Sequence, residues 1–183
     1  REEAAPAVAQ TKRTSEAVAC GPVFKACVLA FSLLLAACDA AAPLDRLSLG
    51  EPFPELMLTD LSGQEAPLSR WQGRFLVLNV WATWCAPCRR ELPSLQGLSD
   101  RLDPARFAVV GLSMDDDARL VREYLLDRGV SYTNYIDAQW HVVDNVLGLT
   151  VYPATYFISP EGVLVARIAG ERNWAGDRIV EVD

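Results

Sequence analysis

Histidine is almost missing from this sequence, with one residue, His141, in 183. That excludes a multi-histidine metal site and leaves any Ser-His-Asp or Cys-His scheme resting on a single side chain. Methionine is scarce too: Met57 and Met114 stand far apart, so a soft-metal cage has few ligands. Basic charge is in deficit, since 17 Lys and Arg against 24 Asp and Glu give a net charge of −7. A general nucleic-acid binder normally carries a basic face that neutralises phosphates, so no nucleic-acid partner is expected. Internal repeats are also absent. What is present is an ordinary globular composition, 51% hydrophobic and 22% charged, with length for one domain and some residues to spare. Five cysteines are left as the place to look for chemistry.

Three of them, Cys20, Cys27 and Cys38, fall in the first 38 residues. Lys25 is followed by twelve uncharged residues, Ala26 to Ala37, and then Cys38. Twelve is short of the about 20 that span a bilayer but suits the apolar region of a signal peptide. The end of the run, Leu35-Ala36-Ala37-Cys38, resembles the bacterial lipobox, in which the signal is cut before a lipid-bearing cysteine. Cys38 is then a lipidation site anchoring the protein to a membrane; a buried helix or an uncleaved anchor are the plainer alternatives. The chain starts at Arg1 rather than methionine, and residues 1–21 carry no apolar periodicity, so synthesis is expected to begin near Val23. The resulting division is a signal or upstream segment over 1–37, a tether over 38–49, and a globular domain over 50–183. The first 37 residues hold four basic and three acidic side chains, so the rest carries thirteen arginines, no lysine and a net charge of −8. With one cysteine lipidated and two paired, no structural disulfide framework remains, and a chain of this size needs none.

Along the domain, strand and helix signals alternate. Glu51 to Leu68 shows alternating apolar residues broken by Asp60-Leu61-Ser62-Gly63, which reads as a β-hairpin. Phe75–Trp81 and Phe107–Ser113 are apolar runs of strand length, the pattern of strands covered on both faces. A helix is expected from Cys85 to Leu102, interrupted at Pro93. A second should run to Arg128, with Asp115, Asp116 and Asp117 as cap, first-turn acids and solvated turn rather than a metal site, and Gly129 closing it. Tyr132–Ile136 reads as a short strand, and His141–Leu147 as a short helix closed by Gly148. Ala154–Ile158, the turn Ser159-Pro160-Glu161-Gly162 and Val163–Ala169 form an antiparallel hairpin. Strand-helix units ending in a hairpin indicate a mixed α/β sheet. His141, far from the remaining cysteines, reads as a structural or surface residue.

Those cysteines sit in Trp81-Ala82-Thr83-Trp84-Cys85-Ala86-Pro87-Cys88, where a buried strand turns into a helix. Cysteines three apart at a helix start can close a disulfide across the first turn and open it again. The free N–H groups and dipole there favour a Cys85 thiolate by about 0.3–2 kcal/mol, up to roughly 1.5 pKa units. Starting from about 8.5, that gives a useful thiolate fraction at neutral pH. Cys88, one turn in, suits the thiol that resolves a mixed disulfide. A zinc half-site and a purely structural disulfide are the competing readings, the former lacking further ligands. Trp81 reads as core and Trp84 as surface.

The segment from Asn79 through Cys85-Ala86-Pro87-Cys88 to Arg89-Arg90-Glu91-Leu92-Pro93 resembles the active site of the TlpA/ResA-like thiol-disulfide oxidoreductases of the thioredoxin superfamily. The resemblance extends over most of the chain after the tether. It implies a thioredoxin-like α/β fold: a central mixed sheet flanked by helices, with an N-terminal β-hairpin addition that includes Gly50, Pro52, Phe53 and Leu56. It implies catalytic roles for Cys85, Cys88 and Glu91, Glu91 managing the thiol proton where an exposed helix residue is the plainer reading. It also implies a cis Tyr152–Pro153 bond that turns backbone groups toward an incoming peptide, with Trp84, Tyr152 and Pro153 as the substrate-binding residues. Asn79 stands where many thioredoxins hold a buried aspartate, which moves proton handling to Glu91 or water. The family usually adds a C-terminal helix, for which Trp174 to Asp183 leaves two or three turns, so the last helix is short or the chain truncated.

No cofactor beyond the redox-active Cys85–Cys88 disulfide is implied. Ala86-Pro87 offers no histidine or other cation to the thiolate, so a relatively reducing couple and a reductase role are expected. The implied partners are disulfide-containing client proteins, such as an apocytochrome c or copper-site assembly proteins, and a membrane electron donor of the DsbD/CcdA type. The implied location is the periplasmic side of the bacterial inner membrane, since Asp39 after the lipidated cysteine resembles the retention signal there. A disulfide oxidase or isomerase and a non-catalytic metal or apoprotein chaperone are the alternatives. A peroxidase is a further one, but its cysteine normally follows a proline and a threonine in a tight loop, a setting Thr83-Trp84-Cys85 lacks. For the start site, mass spectrometry of the native precursor is expected to find no peptide between Glu2 and Lys12; finding one overturns initiation near Val23.

Overall fold

The computed structural model describes residues 46–176. Cys20, Cys27 and Cys38, with the signal segment and most of the tether, lie outside the described residues. Seven strands form one mixed sheet: β1 (Met57–Asp60), β2 (Glu65–Pro67), β3 (Phe75–Trp81), β4 (Phe107–Ser113), β5 (Thr133–Ile136), β6 (Ala154–Ile158) and β7 (Leu164–Ala169), in the spatial order β2-β1-β5-β4-β3-β6-β7. The two mostly apolar runs, β3 and β4, lie side by side in parallel at the centre, Phe75 to Trp81 opposite Phe107 to Ser113, and every residue after the first of each is buried. β5 pairs in parallel with β4, while β6 and β7 add antiparallel on the other side. The central mixed sheet flanked by helices is the thioredoxin-like architecture.

The N-terminal hairpin is narrower than its alternating pattern suggests, because its strands cover only β1 and β2. Its turn is fixed by Asp60, whose Oδ1 accepts from Ser62 N, Ser62 Oγ and Gln64 N at 2.7–2.9 Å, with Gly63 at φ +89°. The hairpin extends the sheet by antiparallel pairing of Thr59 and Asp60 with Ile136 and Tyr135. The chain before it starts elsewhere: Gly50 N bonds Leu164 O, Phe53 N bonds Gly162 O, and the Phe53 ring meets Tyr156 at 5.4 Å.

Helix α1 (Ala86–Arg101) joins β3 to β4, and helix α2 (Ala118–Asp127) joins β4 to β5. In α1 the buried residues Cys88, Glu91, Leu92, Leu95 and Leu98 recur every three or four positions and form the stripe facing the core. Pro93 does not interrupt this helix. Proline removes the hydrogen bond to the carbonyl four residues back, but Pro93 and Arg89 both lie on the exposed face, where water can meet that carbonyl. Asp117 caps α2 through Arg119 N and Leu120 N, and Gly129 at φ +64° follows its end. Residues 141–147 are helical with the wider π spacing, closed by Gly148 at φ +63°. The expected C-terminal helix falls largely outside the described residues; Trp174 to Gly176 form a turn.

Gly111 in β4 faces Asn134 in β5, whose Oδ1 accepts the buried Trp81 Nε1–H at 2.9 Å. A Cβ on Gly111 would stand 1.9 Å from Asn134 Oδ1 and 3.0 Å from Trp81 Nε1. Gly111→Ala therefore breaks this buried pair and crowds two central strands. Urea denaturation is expected to show a loss of about 2–4 kcal/mol, with the midpoint lowered and the slope unchanged.

Candidate active site

β3 runs to Trp81, and a turn then follows in which Thr83 and Trp84 leave the sheet before α1 begins. That turn is held by Asp115, a buried carboxylate just past β4. Its Oδ2 accepts Thr83 N at 2.9 Å and Ser113 Oγ at 2.6 Å, and its Oδ1 accepts Thr83 Oγ1 at 2.6 Å. Asp115 is thus an anchor of the loop before Cys85 and neither a first-turn acid nor part of a solvated turn, because three donors converge on it out of water. Of its neighbours, Asp117 is the helix cap and Asp116 accepts Gln139 N at 3.1 Å.

Cys85 and Cys88 form a disulfide across the first turn of α1. Cys85 is the cap residue itself, and Cys88 N–H points at Cys85 Sγ at 3.3 Å, with Pro87 in the first turn where its missing N–H costs nothing. This N–H faces the sulfur that carries charge once the bond is opened. Exposure separates the two cysteines, 7% for Cys85 and 0% for Cys88, so Cys85 is the sulfur nearer the surface.

Glu91, one turn beyond Cys88, is 1% exposed. Its Oε1 accepts Asn79 Nδ2 at 2.7 Å, and its Oε2 accepts Arg172 N at 3.1 Å and Trp174 Nε1 at 3.3 Å. Burial pushes its carboxyl above the usual range, and the three hydrogen bonds only partly pull it back. It is a buried carboxyl with easier access to its neutral form, placed on the helix face of the buried cysteine, and not an exposed helix residue.

The Tyr152–Pro153 bond is cis and precedes β6, whose first residue, Ala154, pairs with Val80 at the β3 end leading to Cys85. Both segments therefore emerge at the same end of the sheet, and the Tyr152 ring meets Trp84 edge-on at 6.4 Å. Trp84 is 53% exposed, whereas Trp81 is buried. His141 is exposed and shares a hydrogen bond with Asn145.

Sequence reasoning missed three participants. Trp174 buries its ring against Phe157 at 5.9 Å, while its N–H groups reach Ser94 and Glu91. Thr155 Oγ1 accepts from Asn79 at 3.0 Å. Trp140 stacks on Trp84 with ring centres 5.8 Å apart. Only Trp174 left a local signal, a large aromatic residue directly after the polar stretch Glu171-Arg172-Asn173. Among the described residues no group of three or more His, Cys, Asp or Glu could hold a metal ion.

Residues 49–167 match the model of the AhpC/TSA family. The thiol-disulfide oxidoreductase ResA of Bacillus thuringiensis (strain Al Hakam) is 26% identical over 128 residues, covering 70% of this chain and 73% of that protein. ResA of Bacillus subtilis (strain 168) is 27% identical over 126 residues, 69% of this chain and 70% of the relative. Among solved structures, a putative thiol:disulfide interchange protein DsbE from Chlorobium tepidum superposes with a TM-score of 0.63 at 24% identity, over 69% of this chain and 88% of its own.

The raised Glu91 pKa has a stability consequence of definite sign. The folded state holds this proton more tightly than the unfolded chain, so folding free energy is lost as pH climbs from the ordinary carboxylate range through the folded pKa. Glu91→Gln removes that component. The stability of the variant minus that of the wild type, from urea titrations between pH 4 and 8, is expected to rise with pH across this window; a flat difference refutes the assignment.

Proposed function

We propose that this chain, which belongs to the AhpC/TSA family, is an extracytoplasmic thiol-disulfide oxidoreductase that reduces disulfides of client proteins through Cys85-Ala86-Pro87-Cys88. The observation that carries this reading is the Cys85–Cys88 disulfide at the start of α1, with Cys85 as cap and Cys88 sealed beneath it. A merely structural bridge gains nothing from a site where a helix N–H faces one sulfur and the two sulfurs differ in access. The ResA proteins it resembles, themselves named thiol-disulfide oxidoreductases, support the same chemistry.

The cycle starts from the reduced protein. The Cys85 thiolate, favoured by the Cys88 N–H and the other free N–H groups of the first turn, attacks one sulfur of the client disulfide. A mixed disulfide with Cys85 forms, the client S–S bond breaks, and the leaving client sulfur takes up a proton. The Cys88 thiol then loses its proton and attacks Cys85 Sγ, closing the Cys85–Cys88 bond and releasing the client with two thiols. Two electrons have passed to the client. Glu91 serves the second step as the nearby proton acceptor: its raised pKa brings it closer to that of a thiol than an ordinary carboxylate. Trp84, Tyr152 and Pro153 form the surface that receives the client chain.

The lipid anchor at Cys38, the periplasmic side of the inner membrane and a membrane donor of the DsbD/CcdA type complete the reading, the donor returning two electrons to the disulfide. Among the described residues no helix is long and apolar enough to cross a membrane. An apocytochrome c is the preferred client, followed by copper-site assembly proteins.

The reduction potential tests the direction. Equilibration of the protein against glutathione and dithiothreitol buffers, with trapping of free thiols, is expected to give about −250 mV or lower, on the side of thioredoxin's roughly −270 mV. A value of about −120 to −180 mV assigns the protein to oxidation or isomerisation instead. Cys88→Ser is expected to accumulate the Cys85 mixed disulfide, and Cys85→Ser to form none.

A further inference from the structure

Gln139 and Trp140 both adopt the left-handed conformation, with φ of 69° and 59°, a rare choice for residues other than glycine and made twice in succession. The surroundings hold this turn firmly. Gln139 N donates to Asp116 Oδ1, Trp140 N to Asp137 O at 3.0 Å, and Trp140 Nε1 to Met114 O at 2.7 Å. The buried Asp137 carboxylate accepts Val142 N and Val143 N just beyond. The product is the placement of one side chain: the Trp140 ring lies over Trp84, 27° from parallel. Trp84 adjoins Cys85 and is closed edge-on by Tyr152, yet 53% of it is exposed. One indole face is therefore backed by a second indole while the remaining surface stays open beside the disulfide.

Asp116 and Asp144 lie on the Trp140 side of this platform, where the one cation held nearby among the described contacts, Arg46, is engaged by the Asn145 carbonyl. Asp116 sits under the strained turn, and the Tyr152 hydroxyl is pushed up by burial and by the charge of Asp144. Across the disulfide, Arg90 is taken up by Glu171 at 2.6 Å, and Arg89 is exposed on the first turn of α1. Electron-rich indole faces next to carboxylates suit a cation better than an anion or a neutral group.

We propose that Trp84, backed by Trp140 and flanked by Asp116 and Asp144, is a cation-recognition platform that selects client disulfides with a Lys or Arg side chain next to the reacting cysteine. This rests on the oxidoreductase reading above and names its substrate class. Trp140 is a positioning residue: it sets the plane of Trp84 and does not touch the sulfurs.

Three small disulfides test the proposal: cystamine (dication), bis(2-hydroxyethyl) disulfide (neutral) and 3,3′-dithiodipropionate (dianion). Each is mixed with the reduced protein, and closure of Cys85–Cys88, with release of two small thiols per disulfide, is followed by thiol trapping. Every rate is divided by that of dithiothreitol with the same disulfide, which removes intrinsic reactivity. At low salt the normalised rate with cystamine is expected to exceed the neutral one by about tenfold and the dianion by more, with the preference shrinking in 1 M salt. Asp144→Asn, an exposed change that leaves the fold intact, and Trp140→Leu should each cut the cystamine preference about threefold or more, with the reduction potential unmoved. Equal normalised rates for all three disulfides, a preference for the neutral one, or a cystamine preference untouched by both variants overturns the proposal and leaves the oxidoreductase reading intact. Failure to exchange with any of the three is instead the failure of that reading.

Discussion

A carboxyl group removed from water is tolerable only when enough donors meet it, and the buried Glu91 imposes that condition on this fold. Its donors come from three places: the Asn79 amide in β3, the Arg172 backbone and the Trp174 indole. Meeting them fixes the rotation of α1, since Glu91 can face β3 only if Cys88, Leu92 and Leu95 do so as well. Cys88 is buried for that reason, and Cys85, three residues earlier at the cap, is left as the sulfur nearer the surface. The same contacts hold the C-terminal segment, where Trp174 also bonds Ser94 and receives Arg101 at its carbonyl.

Asp115 plays the matching part on the other side of the disulfide, with a different outcome. Its partners are Thr83, in the loop after β3, and Ser113, at the end of β4, so it holds the loop before Cys85. One buried acid therefore stands on the helix that carries Cys88, and the other, just past β4, bonds the loop that leads into Cys85. The left-handed pair Gln139–Trp140 adds strain of order 1–3 kcal/mol per residue, which persists because Asp116, Asp137 and Met114 hold its backbone and ring.

What could be seen in the sequence depended on the range of the interaction. β3 and β4 were legible because a strand buried on both faces needs a mostly apolar run, and the Asp117 cap and Gly129 stop were legible because capping is local. The paired cysteines announced themselves by spacing and by standing at a strand-to-helix switch. Glu91 could be placed on the face of Cys88, but its burial could not be read, since its partner Trp174 is 83 positions away. Asp115 misled for a similar reason: three aspartates before a helix look like a solvated cap, and the donor that draws one inward, Thr83, is 32 positions off. Pro93 misled in the opposite direction, as a local rule was overridden by an exposed helix face. The Trp84–Trp140 stack had no sequence signature, being made by a turn of the rarest conformation.

Asn79 shows why the absence of an acid in the centre of β3 is compatible with proton traffic. An aspartate there would put a second carboxylate against Glu91, and two like charges in one buried site cannot both ionise at ordinary pH. An amide carries a donor and an acceptor on one planar group. Nδ2 bonds Glu91 and Thr155, while Oδ1 is buried without a hydrogen-bond partner. The present orientation serves an ionised Glu91. Turned over, the same side chain offers Oδ1 to the hydroxyl of a protonated Glu91, and the Thr155 hydroxyl, able to give as well as accept, adjusts to either. The orphaned oxygen is thus the cost of keeping a partner that fits both protonation states of the one buried acid on the helix that carries Cys88. An aliphatic residue at 79 would fit neither, and an aspartate would fit only the state in which one of the two acids is neutral.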